Sequence, residues 1–173
     1  MPVIKHGYCR ALRENPMVYS DAAPQKDPEY AYTYIAKCRK TKEVKIGKAV
    51  DPCSRLANIK KDKFGPYTKN DFKLECLVNT GVCEKFLHLV FKEYQISYND
   101  PFTFQGAYKT EKFALPQWAT KNLEITVRAA IEVGGFRNNH AEKIPSIKEV
   151  RAAVNLTTGS SRSITRDRLK PVP

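Results

Sequence analysis

The sequence predicts an α+β fold in which a small antiparallel sheet of three strands is flanked by helices. β-forming residues alternate with polar ones in three short segments, whereas apolar residues recur at helical spacing in two later segments. The chain has 173 residues, of which 42% are hydrophobic and 28% charged, so it can bury a core of ordinary size. We therefore expect one main domain with short extensions.

The first two strands are predicted to form a hairpin. Residues 30–36 are rich in β-formers, with Tyr30, Tyr32 and Tyr34 on one face, and residues 43–47 alternate again after a polar turn. A third strand is predicted over residues 72–78, where apolar and charged residues alternate.

Two helices are predicted beside these strands. Asp51 is a favourable N-cap and Pro52 a favourable first helical residue, so a helix is expected to run to about residue 61. Thr80 is expected to cap a second helix that runs to about Tyr94 with core-spaced apolar residues.

Further elements are predicted in the second half of the chain. They are a short strand near residues 112–115 and a helix that begins at Pro116 and stops at Gly134-Gly135. Before the first strand, residues 1–29 are interpreted as a linker or wrapping arm. The predicted organisation is an arm over 1–29, a domain over 30–135 and a basic extension over 136–173.

The positive charge is concentrated in two segments. Of the net charge of +12, residues 37–73 contribute twelve Lys/Arg against four Asp/Glu, a net +8, and residues 136–173 contribute eight against three, a net +5. Such segments favour a polyanion as partner, because each neutralised phosphate releases counterions. A solubilising surface is the alternative interpretation, and an anionic membrane fits less well because neither segment is a long amphipathic helix with an aromatic face.

The sequence also predicts an intracellular, cytoplasmic protein. It contains neither a run of eighteen apolar residues nor an apolar N-terminal stretch long enough for a signal peptide. The five cysteines include no closely spaced pair, so reduced thiols are expected and a structural zinc site is not.

Four motifs together resemble the GIY-YIG nuclease superfamily, in particular a phage-rich branch of it. Three of them are Tyr32-Thr33-Tyr34-Ile35, then Lys45-Ile46-Gly47, then Asp51-Pro52 followed by Arg55-Leu56. The fourth is the helical segment from Cys83 to Phe91, which is similar to the branch's Leu-Glu-x-x-Leu-His-x-x-Phe pattern. Glu111-Lys112-Phe113 echoes the branch's final motif of an acidic residue and an aromatic pair. Tyr32 stands where glycine is usual, and Lys112 where an aromatic is usual.

The resemblance implies a single divalent metal, Mg²⁺ or Mn²⁺, held by one glutamate at the position of Glu84. Such a metal helps to neutralise the developing charge on the leaving group. The alternative for Glu84 is a carboxylate that interacts with the dipole at its helix N-terminus.

The resemblance implies further site residues with distinct tasks. Arg55 would clamp a phosphate with its planar guanidinium, and Tyr34, or a water that it orients, would act on the base side of the reaction. Lys45 and Arg55 would have to depress the pKa of Tyr34 for that task. Lys45 would bind the scissile phosphate or act on Tyr34; alternatively, it lies on the outer face of an amphipathic strand. Gly47 is interpreted as a position of close backbone approach.

His88 follows Glu84 by one helical turn and would orient its carboxylate or bind a water, unless it is an ordinary core histidine. Basic residues expected to contact DNA are Lys48, Arg55, Lys60, Lys61, Arg162 and Arg166. DNA is the predicted partner, without a small-molecule cofactor or a membrane; a homodimer or a host-protein partner is left open.

The C-terminal extension has two interpretations. Ser146 is expected to cap a helix that residues 155–157 break, and Ile164 restarts an apolar position, so the segment weakly resembles a helix-turn-helix module. The alternative is a basic, partly ordered tail that binds phosphates without sequence preference.

Three functions remain open at this stage. The favoured one is a metal-dependent DNA endonuclease that hydrolyses phosphodiester bonds. The others are a non-cutting DNA-binding module and a phage-type protein that engages a host factor. The presence of Tyr34, Arg55 and Glu84 together favours the first.

Overall fold

A single sheet of six strands organises the molecule, in the order β1-β4-β2-β3-β6-β5. The computed structural model describes residues 15–19, 32–59, 72–99 and 107–167. The strands are β1 Met17–Val18, β2 Tyr32–Cys38, β3 Val44–Ala49, β4 Phe72–Val78, β5 Gln95–Asn99 and β6 Ala107–Phe113. The helices are α1 Pro52–Ile59, α2 Cys83–Val90, α3 Gln117–Thr120, α4 Leu123–Gly134 and α5 Ile147–Asp167, with a 3₁₀ turn over Lys92–Tyr94.

The α+β class is confirmed, but the expectation of three strands is wrong. The three predicted strands are present as β2, β3 and β4, with β2 in the centre pairing antiparallel to both of the others. The additional strands extend the sheet on both sides. β1 pairs parallel to β4 over only two residues, and the hairpin β5–β6 joins the free side of β3. β6 overlaps the short strand predicted near residues 112–115, whereas β1 and β5 were not predicted.

The sheet separates two apolar clusters. The larger one lies between β2, β3 and β4 and the helices α2, α4 and α5, and it includes the fully buried Ile35, Ile46 and Phe113. The smaller one lies on the other face, where Leu56 of α1 packs with Tyr34, Phe72, Leu74 and Leu77. The alternation of side chains along a strand places neighbouring residues of β2 in different clusters.

The start of α1 is confirmed. The Asp51 carboxylate accepts hydrogen bonds from the backbone N–H groups of Cys53 and Ser54 at 3.0 and 3.1 Å, which satisfies donors that the helix itself leaves unpaired. Thr80, however, is not the cap of α2. It lies before the helix, and its hydroxyl accepts the N–H of Val82 at 3.3 Å in the preceding turn.

The helix predicted to begin at Pro116 is divided into α3 and α4. Asn122 caps α4 by accepting the N–H of Ile125 at 3.2 Å, which starts a new helix at Leu123. The predicted stop is confirmed, because Gly135 adopts the left-handed conformation at φ 58° that favours glycine.

The C-terminal segment is one continuous helix. Ser146 and Glu149 form a reciprocal capping box at its start, in which the Ser146 N–H donates to the Glu149 carboxylate at 2.8 Å. The predicted break at residues 155–157 is wrong, because α5 continues through it. Thr157 and Thr158 return their hydroxyls to backbone carbonyls one turn earlier, so these polar residues remain compatible with the helix. A turn within this helix, as a helix-turn-helix module requires, is therefore not found among the described residues.

The first half of α5 packs against the main core. Val150 and Val154 are 0% and 4% exposed and belong to the larger apolar cluster. Met17 and Val18 likewise join the sheet from within the predicted arm. The boundaries at 29 and 135 stay predictions, but structural contacts cross both of them.

Cysteine chemistry departs in part from expectation. Cys38, Cys76 and Cys83 are free and buried, whereas Cys53 on α1 is disulfide-bonded. In the part of the chain that the structure describes, none of the helices has the length and apolar character needed to cross a membrane.

Candidate active site

Tyr34 and Gly47 face each other at the centre of the candidate site. They are paired residues of β2 and β3, and Tyr34 is fully buried. A side-chain carbon at Gly47 would overlap the Tyr34 hydroxyl and lie 2.6 Å from the ring carbon that carries it. Glycine is therefore needed here because the tyrosine occupies the space over the neighbouring strand, whereas the expected approach of a helix and a phosphate at Gly47 stays a prediction.

The Tyr34 hydroxyl has no hydrogen-bond partner of good geometry among the described residues. Burial raises the pKa of Tyr34 to about 12, and the negative charges of Glu111 and Glu84 add to this. Arg55 lowers the pKa, but burial outweighs it. The expectation of a depressed pKa is therefore wrong in its net direction, and the phenol is neutral at physiological pH. A buried polar atom without a partner is costly, and such atoms concentrate at functional sites.

Lys45 and Glu111 form an ion pair beside this tyrosine. The Lys45 ammonium lies 2.5 Å from the Glu111 carboxylate, and Lys45 is only 7% exposed. Hydrogen bonding and charge from Lys45, together with the charge of Arg55, hold the pKa of Glu111 below its usual range although burial alone would raise it. Lys45 pairs with Ala36 on β2, and Ala36 belongs to the smaller apolar cluster. Lys45 is therefore buried and does not lie on the exposed face of an amphipathic strand.

Glu84 lies in the first turn of α2 and is 8% exposed. Its carboxylate is 3.9 Å from the ammonium of Lys48 on β3. Burial raises the pKa of Glu84, Glu111 raises it further, and His88, Lys48 and Lys45 lower it. A buried carboxylate with a raised pKa is a common property of functional groups, because stability alone would favour a neutral residue.

His88 is fixed by two contacts. Its Nε2 lies 2.9 Å from the backbone carbonyl oxygen of Ile46, so this nitrogen carries the proton and donates it. The ring packs edge-on against Phe113 with 5.0 Å between centroids. Nε2 is thereby excluded as a metal ligand, and the histidine connects α2 to β3 while its charge influences Glu84 and Glu111.

Arg55 is exposed on α1, the helix that lies over the smaller cluster. Its guanidinium is close enough to lower the pKa values of both Tyr34 and Glu111. An exposed, planar donor group thus lies near a buried hydroxyl and a carboxylate, and a ligand can reach it from outside.

The structure brings together most of the residues that the motifs indicated. Tyr34, Lys45, Arg55 and Glu84 come from four different elements and interact electrostatically through Glu111, while His88 and Lys48 lie beside Glu84. Of the predicted DNA contacts, Lys60 and Lys61 lie outside the described residues, and the side chains of Arg162 and Arg166 are also outside the described part.

Glu111 is the site residue that the sequence reasoning missed. It belongs to the Glu111-Lys112-Phe113 motif, but only the pairing of β6 with β3 shows that its carboxylate meets Lys45. The available signal was an acidic residue within the short motif that ends the resemblance.

The described residues can be compared with the needs of a divalent metal. No group of three or more His, Cys, Asp or Glu side chains among them is arranged to hold a metal ion. Mg²⁺, however, is typically bound by one or two carboxylates together with waters and substrate phosphates. Glu84, a buried carboxylate whose pKa responds to the surrounding charges, fits that type of site and does not fit a closed protein cage.

Residues 29–133 match the model of the T5orf172 domain. The chain belongs to this family. It is a phage-associated family of nuclease-like domains. The match covers the site, from β2 through α2 and β6 to α4. Neither the curated proteins nor the solved structures include a significant match.

Proposed function

We propose that this T5orf172-family protein is a DNA endonuclease that hydrolyses phosphodiester bonds with one divalent metal, in the manner of GIY-YIG nucleases. The observation that carries the proposal is the buried hydroxyl of Tyr34, which makes no hydrogen bond of good geometry with the described residues and lies within the electrostatic reach of Arg55, Glu84 and Glu111. A buried hydroxyl without a good hydrogen bond destabilises the fold, and its presence is explained if a ligand completes its hydrogen bonding.

Glu84 is the residue proposed to hold the metal, Mg²⁺ or Mn²⁺. Bound there, the ion would supply Lewis-acid stabilisation of the charge that develops on the leaving oxygen. Lys48, 3.9 Å away, balances the carboxylate in the free protein. His88 stabilises the helix that presents it, through the hydrogen bond to Ile46.

Arg55 and Lys45 are proposed to bind the scissile phosphate. The exposed guanidinium of Arg55 can offer two parallel N–H donors to two phosphate oxygens, which a lysine cannot do. Lys45 adds a fixed positive charge from the sheet.

Tyr34 is proposed to orient the attacking water rather than to take its proton alone. A phenol with a pKa of about 12 is neutral at physiological pH, but it can both donate and accept a hydrogen bond. The absence of a side chain at Gly47 leaves the space that the Tyr34 ring and hydroxyl occupy over β3.

A non-cutting DNA-binding module is the second candidate function. The net charge of +12 favours binding to a polyanion, whether or not cleavage follows. The raised pKa of Tyr34 also favours this candidate, because it removes the simplest general base from the site.

Supercoiled plasmid incubated with purified protein and Mg²⁺ or Mn²⁺ separates the two candidates. The wild type should nick or linearise the plasmid, EDTA should prevent it, and Glu84→Gln should reduce the rate at least about a hundredfold while DNA affinity in EDTA stays within a few-fold. Arg55→Lys is the second arm and should lose most of the activity because the two-pronged contact is gone.

Lys121→Arg is the matched control, because it exchanges the same two residue types at an exposed position that follows α3. This variant should cut like the wild type. Binding without cleavage in the wild type would establish the second function. Undiminished cleavage by Glu84→Gln would remove Glu84 from the metal site.

A further inference from the structure

We infer that Lys45 and Arg55 form an anion site that the Glu111 carboxylate fills in the free protein and that a DNA backbone phosphate takes over on binding. The inference rests on the proposed function, since it describes how the same site receives its substrate. It assigns to Glu111 the part of an internal competitor.

The first support is the burial of Lys45. Its side chain is 9% exposed, and the Glu111 carboxylate lies 2.5 Å from its ammonium. A buried ammonium is strongly disfavoured unless an anion lies beside it, so Lys45 favours an anionic partner in both the free and the DNA-bound protein. Glu111 meets this need in the free protein.

The second support is the unequal burial of the pair. The side chain of Glu111 is 44% exposed, in contrast to that of Lys45, so the carboxylate is the partner that can leave. The registered pairs between β3 and β6 are Val44 with Phe113 and Lys45 with Lys112. Glu111 is the residue before Lys112 on β6 and lies outside these registered pairs, so its side chain can turn toward solvent while the pairing of β3 with β6 stays intact.

The third support is the second cation. Arg55 as well as Lys45 holds the pKa of Glu111 down, and His88 adds a smaller contribution, so the carboxylate experiences positive charge from three elements. Carboxylate and phosphate are acceptors of the same kind for such groups, because both present oxygens that take charged hydrogen bonds in pairs. The two residues proposed for the phosphate are thus the two largest contributors to holding the internal carboxylate.

The consequence is a competition that lowers DNA affinity in the wild type. A phosphate that enters must displace the carboxylate, and the displaced charge then lies near the DNA backbone. Removing the charge at position 111 should therefore strengthen binding, in contrast to the usual effect of breaking an ion pair in a binding site.

Glu111→Gln tests this with a fluorescently labelled DNA duplex, measured by anisotropy in EDTA so that no cleavage occurs. Affinity should rise about two- to fivefold, the factor expected when a half-exposed ion pair no longer competes. The slope of log affinity against log salt should become steeper by up to about 0.9, because one protein anion no longer offsets the cations that neutralise DNA phosphates.

Two variants make the measurement specific. Glu132→Gln removes the same charge from an exposed position on α4 and should change affinity less than Glu111→Gln. Glu111→Gln combined with Lys45→Met should gain much less than Glu111→Gln alone, because the buried cation is missing. Circular dichroism checks that each variant is folded, and Glu111→Asp, whose shorter side chain reaches Lys45 less well, replaces Glu111→Gln if that variant does not fold.

Unchanged or weaker binding by the folded variant at position 111, or an equal gain by Glu132→Gln, would overturn the inference. Its failure is distinct from failure of the proposed function. If the wild type does not cut plasmid but Glu111→Gln binds DNA more tightly, the nuclease proposal fails and the anion site stands. If the wild type cuts but the DNA affinity of Glu111→Gln is unchanged, the nuclease proposal stands and the anion site fails.

Discussion

The two faces of the β2–β3 hairpin bury different kinds of side chain, although the residues concerned are neighbours in the sequence. On one face, Ile35 and Ile46 are buried in the larger apolar cluster, where helices cover them completely. On the other face, Tyr34 and Lys45 are also buried, but the Tyr34 hydroxyl makes no well-formed hydrogen bond within the described part of the chain, and the Lys45 ammonium pairs with the carboxylate of Glu111. The comparison shows that burial alone does not distinguish an apolar core from a candidate site. The distinction lies in whether the buried polar atoms have hydrogen-bond or ion-pair partners.

The largest expected effect lies on the apolar face. Ile35→Ala should destabilise the protein by about 2–5 kcal/mol, because it leaves a cavity at a position that is 0% exposed. Urea unfolding monitored by circular dichroism measures the change. Leu156→Ala, an apolar truncation at a position that is 75% exposed, is the control and should cost less than about 0.5 kcal/mol. A similar loss in both variants would mean that Ile35 is not part of a close-packed core.

A smaller effect is expected where the tyrosine crosses to β3. Gly47→Ala should destabilise by about 1–3 kcal/mol, since the new methyl group overlaps the Tyr34 ring and hydroxyl and forces them to move. Thermal unfolding measures it, and cleavage activity should fall with it. Gly159→Ala on α5, where nothing lies within 4 Å of the added carbon, is the matched control and should be neutral or stabilising. Equal stability of the two variants would contradict the close approach of Tyr34.

The smallest effect is expected from Glu84→Gln, and it has the opposite sign. This variant should stabilise the protein by about 0.5–2 kcal/mol at neutral pH, the usual range for single stabilising substitutions. Burial raises the pKa of Glu84, so folding favours the protonated carboxyl. The stabilising contribution of that proton is complete below the unfolded-state pKa and is lost as the pH rises through the folded-state pKa.

The gain from Glu84→Gln should therefore vanish in acid and develop as the pH increases. Melting temperatures across a pH series record this, with Glu93→Gln, an exposed glutamate that follows α2, as the control. A Glu84→Gln variant that is less stable than the wild type at neutral pH would mean that Glu84 is mainly a structural ion-pair partner of Lys48.

How far the sequence could predict this molecule differs between these regions. β4 and the starts of α1 and α5 follow from alternation and capping residues, which act within a few positions along the chain. The lateral strands β1 and β5 could not be predicted, because a two-residue strand and a polar hairpin owe their stability to the sheet edge that they meet. The break predicted in α5 failed because threonine hydroxyls bonded back into the helix.

The site shows the same limit. Residue types and motif order brought Tyr34, Arg55 and Glu84 to attention, since each belongs to a short local pattern. The sign of the Tyr34 pKa shift was not predictable, because it depends on how deeply the neighbouring strands and helices bury the ring. The pairing of Glu111 with Lys45 depends on a strand register between segments 66 residues apart.

Segments outside the part of the chain that matches the family model complete its sheet and its core. The family match spans residues 29–133, yet Met17 and Val18 pair with β4, and Val150 and Val154 fill the core from beyond the other end. In this chain, residues outside the matched segment therefore cover the outer edge of β4 and an apolar surface beside α4. Without them, the matched segment would leave a strand edge open to pairing with other chains and an apolar patch exposed to water.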